Sequence, residues 1–349
     1  MTMDGEDGAV SAGRSGARAA RALALAAALL ASAARADTAS GEPADGSGPD
    51  VGTGAADTVA AGGAAATLLR VAPGHHVHVG RHASLAAADG EDIAVGGFVV
   101  GERSVAVIDP GGGDRSGGAL RRALRRVTPL PISHLVLSHF HPDHALGAGA
   151  FADAAEIVAH EHYARARDMR GAFYLGRFGG RVDAGAAQAL PGPTRTVAAG
   201  ESLAIDLGGR RLVVRGHPVA HTDNDVSVHD EAAGVLWAGD LLFAERTPAL
   251  DGSLVGWLAV MDELAALGAA TVVPGHGAPG AAGPIAARQR RYLEALLADT
   301  RARLAANGRL ADAIAAAEAA ASGEGEGWAL HAEQHPTNVT RAWAELEWE

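Results

Sequence analysis

The 349 residues of the chain are enough for one large α/β domain with appended segments. The chain contains no Cys and no Lys, so that all 29 of its basic residues are Arg, which excludes disulfides, thiolate metal sites, Schiff-base chemistry and the Walker phosphate loop. A formal net charge of −12 argues against a nucleic-acid partner, because phosphate backbones bind to basic surfaces.

The N-terminal segment has the pattern of a secretory signal peptide. Three Arg residues precede a run of thirteen uncharged, mostly apolar residues, and Ala34 and Ala36 supply the small side chains of a cleavage site. The apolar run is too short to span a bilayer. We therefore expect residues 1–36 to be a signal peptide and the protein to be periplasmic or secreted after cleavage near Ala36, with no membrane span. An Ala-rich surface helix is the alternative.

Residues 37–66 consist mainly of Gly, Ala, Ser, Pro, Thr and Asp, with almost no large apolar side chain. Such a segment has little to bury and nothing to offset the entropy of ordering. It is predicted to be a disordered linker.

Strand and helix patterns begin at residue 67. Strands are predicted at residues 67–71, 93–100, 104–108, 134–138, 157–159 and 271–273, with a strand-rich run from 195 to 242. The second and third of these strands form a predicted hairpin. Helices are predicted at residues 116–127 and 256–267, after each of the strands at 134–138 and 157–159, and in segments from 285 to 321. Residues 67–349 are therefore assigned to one folded domain with a helical C-terminal extension from about residue 285.

The composition contains 16 His, and three of them lie in one short loop. After an apolar strand the chain continues as Ser-His-Phe-His-Pro-Asp-His over residues 138–144, at a strand end, where α/β sheets hold their ligands. His139 and His141 can both reach one metal ion if the loop continues the extended strand, whereas Asp143 and His144 face a second position on the following turn. Imidazole nitrogen and carboxylate oxygen suit Zn²⁺, and would also bind Fe or Mn.

Further ligands must come from other parts of the chain. His221, Asp240 and His276 each follow an apolar strand, and the last two have Gly neighbours that allow the backbone to come close to an ion. The second ring nitrogen of each ligand His needs a partner, for which Asp223, Asp225 and backbone carbonyls are the candidates.

These seven residues, taken in order, resemble the ligands of the metallo-β-lactamase fold superfamily of zinc hydrolases. The resemblance implies an αββα sandwich with two zinc ions at one edge between the sheets. It implies that the first ion is bound by His139, His141 and His221, the second by Asp143, His144 and His276, and both by a bridging Asp240.

Within the superfamily, four segments resemble the SoxH-related group called quinoprotein relay system zinc metallohydrolases; they are residues 220–225, 237–248, 251–258 and 338–349. This group is associated with periplasmic quinoprotein (PQQ) oxidation systems, which implies a quinoprotein partner. β-Lactamases of the commonest class have Cys where Asp240 stands, and glyoxalase-II-like thioesterases have Thr-Pro-Gly-His where this chain continues from Thr222 into Asp-Asn-Asp. Both departures argue against those two substrate classes.

The resemblance thus implies a hydrolase that attacks a small ester-, lactone- or amide-like molecule with metal-bound hydroxide. Asp143 is the expected catalytic residue, because it can orient the hydroxide and pass a proton to the leaving group. One alternative is a mononuclear iron dioxygenase of the same fold, which uses two His and one Asp and leaves Asp143, His144 and His276 without a metal. The other is a metal-binding accessory protein that serves a quinoprotein partner without turnover.

Several other residues have two interpretations each. One interpretation of His75, His76 and His78 is a metal-collecting patch, and the simpler one is that they are polar residues at the surface. Either support of the metal site or a purely structural role is expected for His160, His162 and His217. Either substrate contact or packing is expected for Phe173, Tyr174, Arg246 and Trp257.

Overall fold

The computed structural model describes residues 66–87, 90–181, 190–321 and 327–349. The predicted signal peptide and all but the last residue of the predicted linker lie outside the described residues, so both stay predictions. In the described part of the chain, none of the helices is long and apolar enough to cross a membrane.

Seven strands form the first sheet, in chain order from β1 to β7. They are β1 (Leu69–Ala72), β2 (His75–His78), β3 (Gly96–Val100), β4 (Val105–Ile108), β5 (Ile132–Val136), β6 (Glu156–His160) and β7 (Arg195–Val197). Strands β1 to β4 pair antiparallel, and the predicted hairpin of β3 and β4 is confirmed. Strands β4 to β7 pair in parallel, so their carboxyl ends lie at one edge of the sheet.

The second sheet has six strands in the order β13-β12-β11-β10-β9-β8. They are β8 (Ser202–Asp206), β9 (Arg211–Gly216), β10 (Val226–Asp230), β11 (Val235–Phe243), β12 (Thr271–His276) and β13 (Gly280–Ala281). Strands β11 and β12 are parallel neighbours, with Phe243 paired to His276. Their carboxyl ends therefore also lie together.

Seven α-helices occur in the described residues: α1 (Asp114–Val127), α2 (Pro142–Ala145), α3 (Tyr163–Phe178), α4 (Leu254–Ala266), α5 (Ala282–Ala305), α6 (Leu310–Ala321) and α7 (His331–Leu346). Short 3₁₀ helices span Leu146–Phe151 and Gly179–Arg181. The sequence did not predict α7, which contains Pro336, a residue that usually ends a helical pattern.

Three apolar clusters define four layers. Between the sheets lie mainly Val side chains, for example Val136 and Val228, together with Trp237. The outer face of the first sheet packs against α1 and α3, and the outer face of the second sheet packs against α4 to α7. The predicted αββα sandwich is confirmed, and its C-terminal helices bury their apolar faces against the second sheet.

Candidate metal centre

The two sheets meet at the edge where β5 ends. The backbone N–H of Val226, which begins β10, donates to the carbonyl oxygen of Ser138 over 2.7 Å, and the N–H of Val95 donates to Gly275 O over 2.7 Å. These bonds join the loop after β5 to the second sheet. The edge therefore brings together residues that are more than a hundred positions apart in the chain.

A single turn of helix follows the loop after β5. His141 is its N-cap and Pro142 its first residue, a position that Pro favours because no N–H is needed there. The turn places Asp143 and His144 side by side with buried side chains. The first two ligand histidines lie in the loop before the turn, with His139 in a bend and His141 in extended backbone.

Four ligand atoms of the predicted first site converge. Nδ1 of His141 lies 3.0 Å from Nε2 of His139 and 3.1 Å from Nε2 of His221. Oδ2 of Asp240 lies 3.3 Å from Nε2 of His221 and 3.8 Å from Nε2 of His139. All four atoms lie within 4.8 Å of one another.

The residues of the predicted second site form a neighbouring cluster. Nε2 of His276 is 3.3 Å from Oδ2 of Asp143, and Nε2 of His144 is 3.9 Å from the same oxygen. Oδ1 of Asp240 is 3.1 Å from Nε2 of His144, so this carboxylate faces both clusters. The structure thus brings together all seven predicted ligands.

The protonation of the imidazoles is fixed by their outer partners. Nδ1 of His221 lies 2.6 Å from the carbonyl oxygen of Ala249, and Nδ1 of His276 lies 2.8 Å from Ile93 O. Because a carbonyl only accepts, Nδ1 of His221 must carry the hydrogen, and its Nε2 faces the centre with a lone pair. Nδ1 of His276 also lies 2.9 Å from the donor Nη1 of Arg246, so the carbonyl orients this ring without deciding its tautomer. The expectation that backbone carbonyls orient ligand histidines is confirmed for these two.

Two carboxylates that the sequence analysis did not propose orient two further ligands. Nδ1 of His144 donates to Asp109 over 2.9 Å, and Nε2 of His141 donates to Asp251 over 3.2 Å. Asp223 and Asp225 were the wrong candidates: the Asp225 carboxylate accepts from Thr222.

His139 is oriented through a hydroxyl group. Its Nδ1 lies 2.9 Å from Oγ of Ser138, and that hydroxyl donates to Oδ2 of Asp109 over 2.7 Å. Since the hydroxyl hydrogen is committed to Asp109, Oγ accepts from Nδ1, and Nε2 of His139 turns its lone pair inward. All five ligand histidines thus turn a ring nitrogen toward the metal centre.

This donor set fits divalent cations. Nε2 of His144 and Oδ1 of Asp240 are buried without a hydrogen-bond partner among the described residues, and buried polar atoms of this kind require a partner. The carboxylates of Asp143 and Asp240 in the centre repel each other unless positive charge lies between them. The donors are nitrogen and carboxylate oxygen, the set that zinc accepts in proteins.

The pKa values in the centre follow from burial and charge. Burial and the neighbouring histidines lower the pKa of His139 well below its usual value, and burial lowers the pKa of His221 to about 4. Both rings are therefore neutral, as metal ligands must be. Although burial opposes its charge, the surrounding carboxylates, Asp240 first, raise the pKa of His144.

Three glycines give the backbone room beside the ligands. A Cβ on Gly275 would lie 1.9 Å from Oδ1 of Asp240, and a Cβ on Gly277 would lie 1.9 Å from the carbonyl oxygen of Ala244. Gly239 has a φ of +52° and packs against Ser138. A side chain at these three positions would therefore displace a ligand or its neighbouring backbone.

Asp251 joins the first cluster to two arginines. Arg170 of α3 and Arg341 of α7 both donate to its carboxylate, the latter over 2.8 Å. Burial opposes the charge of Asp251, but the hydrogen bond from His141 and the two guanidinium groups hold its pKa well below the usual range. Asp251 is therefore a firm acceptor for His141.

The histidines considered for a metal-collecting patch can be judged from their burial and contacts. The surface interpretation is wrong for His75, which is fully buried and lies between Asp230, 2.9 Å from its Nε2, and the Trp237 indole N–H, 3.1 Å from its Nδ1. His78 instead bonds to Asp92. In the described residues, groups of three or more potential ligands occur only at the two clusters above, so the metal-collecting patch is not found there.

His160 and His217 are buried, and Nε2 of His217 lies 2.8 Å from Oγ of Ser227. His162 contacts the Asp223 carbonyl oxygen. None of these three histidines bonds to a ligand residue in the described contacts, which favours the structural interpretation.

The four residues considered for substrate contact lie in different environments. Trp257 is fully buried, with its ring centroid 5.4 Å from that of His221, so packing accounts for it. Tyr174 packs on Phe140, and Phe173 is largely exposed. Arg246 is partly buried beside the centre, with Nη1 2.9 Å from Nδ1 of His276.

Comparison with known proteins agrees with the fold. The family model for the metallo-beta-lactamase superfamily matches residues 89–276. The solved structure of VMB-1 is 16% identical, with 66% of this chain and 97% of that chain covered at a TM-score of 0.52. DIM-1 metallo-beta-lactamase is 16% identical, with 66% and 98% covered at a TM-score of 0.51. No curated protein sequence matches this chain significantly.

At such identities the solved structures show the fold alone. The family model, however, covers more than half of the chain, and all seven predicted ligands lie within its limits. The chain therefore belongs to the metallo-beta-lactamase superfamily.

Proposed function

We propose that this protein is a dinuclear zinc hydrolase that cleaves a small ester-, lactone- or amide-like molecule. The observation that carries the proposal is the convergence of two buried ligand sets on the shared carboxylate of Asp240. Members of this superfamily are usually hydrolases. When bound, the two ions would acidify a water molecule and polarise the bond to be cleaved.

The residues of the chain supply the remaining chemistry. Asp240 faces both ligand sets and fixes their separation, while the buried second nitrogens of the histidines keep the lone pairs aimed inward. Asp143 has its Oδ2 only 3.3 Å from His276, at the second set, where its carboxylate can hold and move the proton of an attacking water. His141 is 17% exposed, so solvent and substrate can approach from its side.

The second ligand set favours this function over an iron dioxygenase. A site of two His and one Asp would leave three side chains, Asp143, His144 and His276, buried in contact with one another without an ion. A bound cation would offset the free energy cost of burying these polar side chains. With the shared Asp240 each ion would have four protein ligands, so a catalytic water would be a fifth ligand, a number that zinc can accept during catalysis.

Arg246 supports a substrate that carries a negative charge. Its guanidinium lies beside His276, and in the described part of the chain no carboxylate lies within 4.0 Å of it. Burial lowers its pKa, but a guanidinium stays protonated at any ordinary pH. This partly buried guanidinium forms no ion pair within 4.0 Å in the described residues, although the charges of Asp143, Asp240 and Glu333 act on it from farther away, and it can bind an anionic group of the substrate.

We further propose a periplasmic location and an association with a quinoprotein, as in the SoxH-related group. Support comes from the signal-peptide pattern of residues 1–36 and from the net charge of −12, which suits a basic partner. N-terminal sequencing of exported protein should find Asp37 or a neighbouring residue at the start. Recovery from the periplasm with Met1 intact would contradict the signal peptide.

The hydrolase proposal is tested by metal analysis and a substrate screen on the same sample. We expect about two zinc ions per chain, and hydrolysis within a panel of esters, lactones, thioesters and lactams. His276→Ala should lose one ion and keep the other, whereas His229→Ala, a change on β10 outside both ligand sets, should keep both. A purified protein that binds no zinc when zinc is offered would refute the proposal.

A further inference from the structure

The last helix of the chain lies beyond the superfamily match, which ends at residue 276. Helix α7 packs into the core through the apolar side chains of Val339, Ala342 and Trp343. A second face of the same helix carries Asn338, Arg341 and Glu345. Spacings of three and four residues place these polar side chains in one row.

Asn338 binds the loop between β11 and α4. The backbone N–H of Leu250 donates to its Oδ1 over 3.0 Å, and its Nδ2 donates to Pro248 O over 2.6 Å and to the Tyr292 hydroxyl over 2.7 Å. The side chain is fully buried. Its amide thus fixes the backbone of the loop in two places.

Arg341 and Glu345 bind the rest of the loop. Arg341 donates to Oδ1 of Asp251 over 2.8 Å. The Glu345 carboxylate accepts from the Ser253 hydroxyl and from the Leu254 N–H, each over 2.6 Å. The row on α7 therefore holds residues 248–254 from one end to the other, and we call this segment the ligand loop.

The ligand loop in turn orients two histidines of the first metal site. Its Ala249 carbonyl accepts from Nδ1 of His221, and its Asp251 carboxylate accepts from Nε2 of His141. The backbone N–H of Asp251 also donates to the carbonyl oxygen of His221 over 3.1 Å. Both outer partners thus come from one short segment.

We propose that α7 positions the first metal site, because its polar row holds the ligand loop that orients His141 and His221. The inference rests on the metal binding in the proposed function and assigns a role to a helix outside the superfamily match. Residues that orient ligands typically change metal affinity about 10- to 100-fold. The second site should not depend on α7, because His144 and His276 are oriented by Asp109 and Ile93.

The burial of Asn338 indicates that α7 positions the ligand loop and is not merely attached to the core. The apolar residues of α7 already attach the helix to the core, and a buried amide is costly unless every bond it makes is retained. Two hydrogen bonds of this amide go to the backbone of one loop, at Pro248 and Leu250, and they fix the position of that loop.

The test measures zinc affinity site by site. In a His276→Ala background, which should retain only the first ion, zinc is titrated into metal-free protein against a chromophoric chelator. Arg341→Ala and Asn338→Ala should lower this affinity about 10-fold or more. Arg301→Ala is the matched control, since it breaks the exposed ion pair of α5 with Glu349 after the end of α7 and leaves the row intact; it should stay within about twofold.

Two further measurements separate the possible results. The Arg341 side chain is 39% exposed, so Arg341→Ala should fold even if Asn338→Ala does not. In metal-free Asn338→Ala, hydrogen exchange of the backbone amides of Leu250 and Leu254 should be faster than in the unmutated protein. The proposal would be overturned if both variants bound zinc at the first site as tightly as the unmutated protein. It would also be overturned if, in proteins that retain His276, the variants lost zinc affinity equally at both sites. Failure of the unmutated protein to bind zinc would instead refute the proposed function.

Discussion

Asp109 and His144 are joined by a buried hydrogen bond of 2.9 Å, and this bond decides which nitrogen of His144 faces the metal centre. The same carboxylate accepts from the N–H and the hydroxyl of Ser138, over 2.8 and 2.7 Å. Asp109 also has a φ of +48°, a conformation that few residues other than Gly, Asn and Asp adopt readily. One residue at the end of β4 therefore supports ligands of both sites.

Replacement of Asp109 by Asn should weaken zinc binding about 10- to 100-fold. Asn has one accepting oxygen in place of two, so its NH₂ group must face a donor, either on Ser138 or on His144. If it faces His144, the ring must move its hydrogen to Nε2 and lose the lone pair that the metal needs. Chelator competition measures the affinity, with the exposed Asp206→Asn as the control. Unchanged affinity would show that the tautomer is held by other contacts.

Gly275→Ala should damage the metal centre through a steric clash. The added Cβ would lie 1.9 Å from Oδ1 of Asp240 and 2.7 Å from its backbone nitrogen, so β12 or the shared carboxylate must shift. We expect a loss of about 1–3 kcal/mol in the free energy of unfolding and a lower zinc content. Gly283→Ala, on α5 with no atom within 4 Å, should be neutral or stabilising. Wild-type stability and zinc content in Gly275→Ala would contradict the close approach.

The stability of the protein should depend on pH through His217. Burial, with the charges of Arg215 and His160, lowers its pKa in the folded state to about 3, although the Glu263 carboxylate lies 3.9 Å away. The unfolded chain takes up a proton near pH 6.5. Stability from neutral His217 is therefore complete above pH 6.5 and is lost as the pH falls toward 3.

From pH 7 to pH 5 this one group should remove about 2 kcal/mol. His217→Gln keeps a neutral group that can reach Ser227 but cannot titrate. The free energy of unfolding, measured for both proteins with the same metal content, should fall less steeply with decreasing pH in His217→Gln. Parallel curves would mean that His217 is protonated in the folded protein.

The parts of the site that the sequence could predict are those that local chemistry determines. Three of the ligand histidines and Asp143 lie within six residues after an apolar strand, and Gly275 and Gly277 flank His276. In both cases the residue types alone indicate the site. The periodicity of apolar residues likewise predicts many of the strands and helices, whereas the αββα layers follow only from the resemblance to the superfamily.

The parts that the sequence could not predict depend on distant partners. Asp109 supports the centre because β4 and β5 pair in parallel, and an acidic residue after a buried strand is a weak signal until that pairing is known. His75 is buried because Asp230, 155 positions later, accepts its hydrogen bond. The ligand loop contains the acidic residue Asp251 in a segment with no recognisable ligand spacing.

The role of Asp143 is tested by replacement with Asn. The side chain is buried with Oδ2 3.3 Å from Nε2 of His276, and Asn keeps its size and one coordinating oxygen. What Asn lacks is the negative charge that orients a water molecule and takes up its proton. If that proton transfer contributes about 10²- to 10⁴-fold to the rate, kcat should fall by at least that factor while the fold and the first zinc ion are retained.

Metal content must be measured on the same Asp143→Asn sample, because loss of the second ion would lower the rate for a different reason. His276→Ala provides the comparison, since it removes a ligand of the same set that has no proton to transfer in the proposed reaction. A variant with both ions and a kcat within a few-fold of the unmutated enzyme would show that Asp143 acts only as a ligand. The proton would then have to be moved by another group in the cleft.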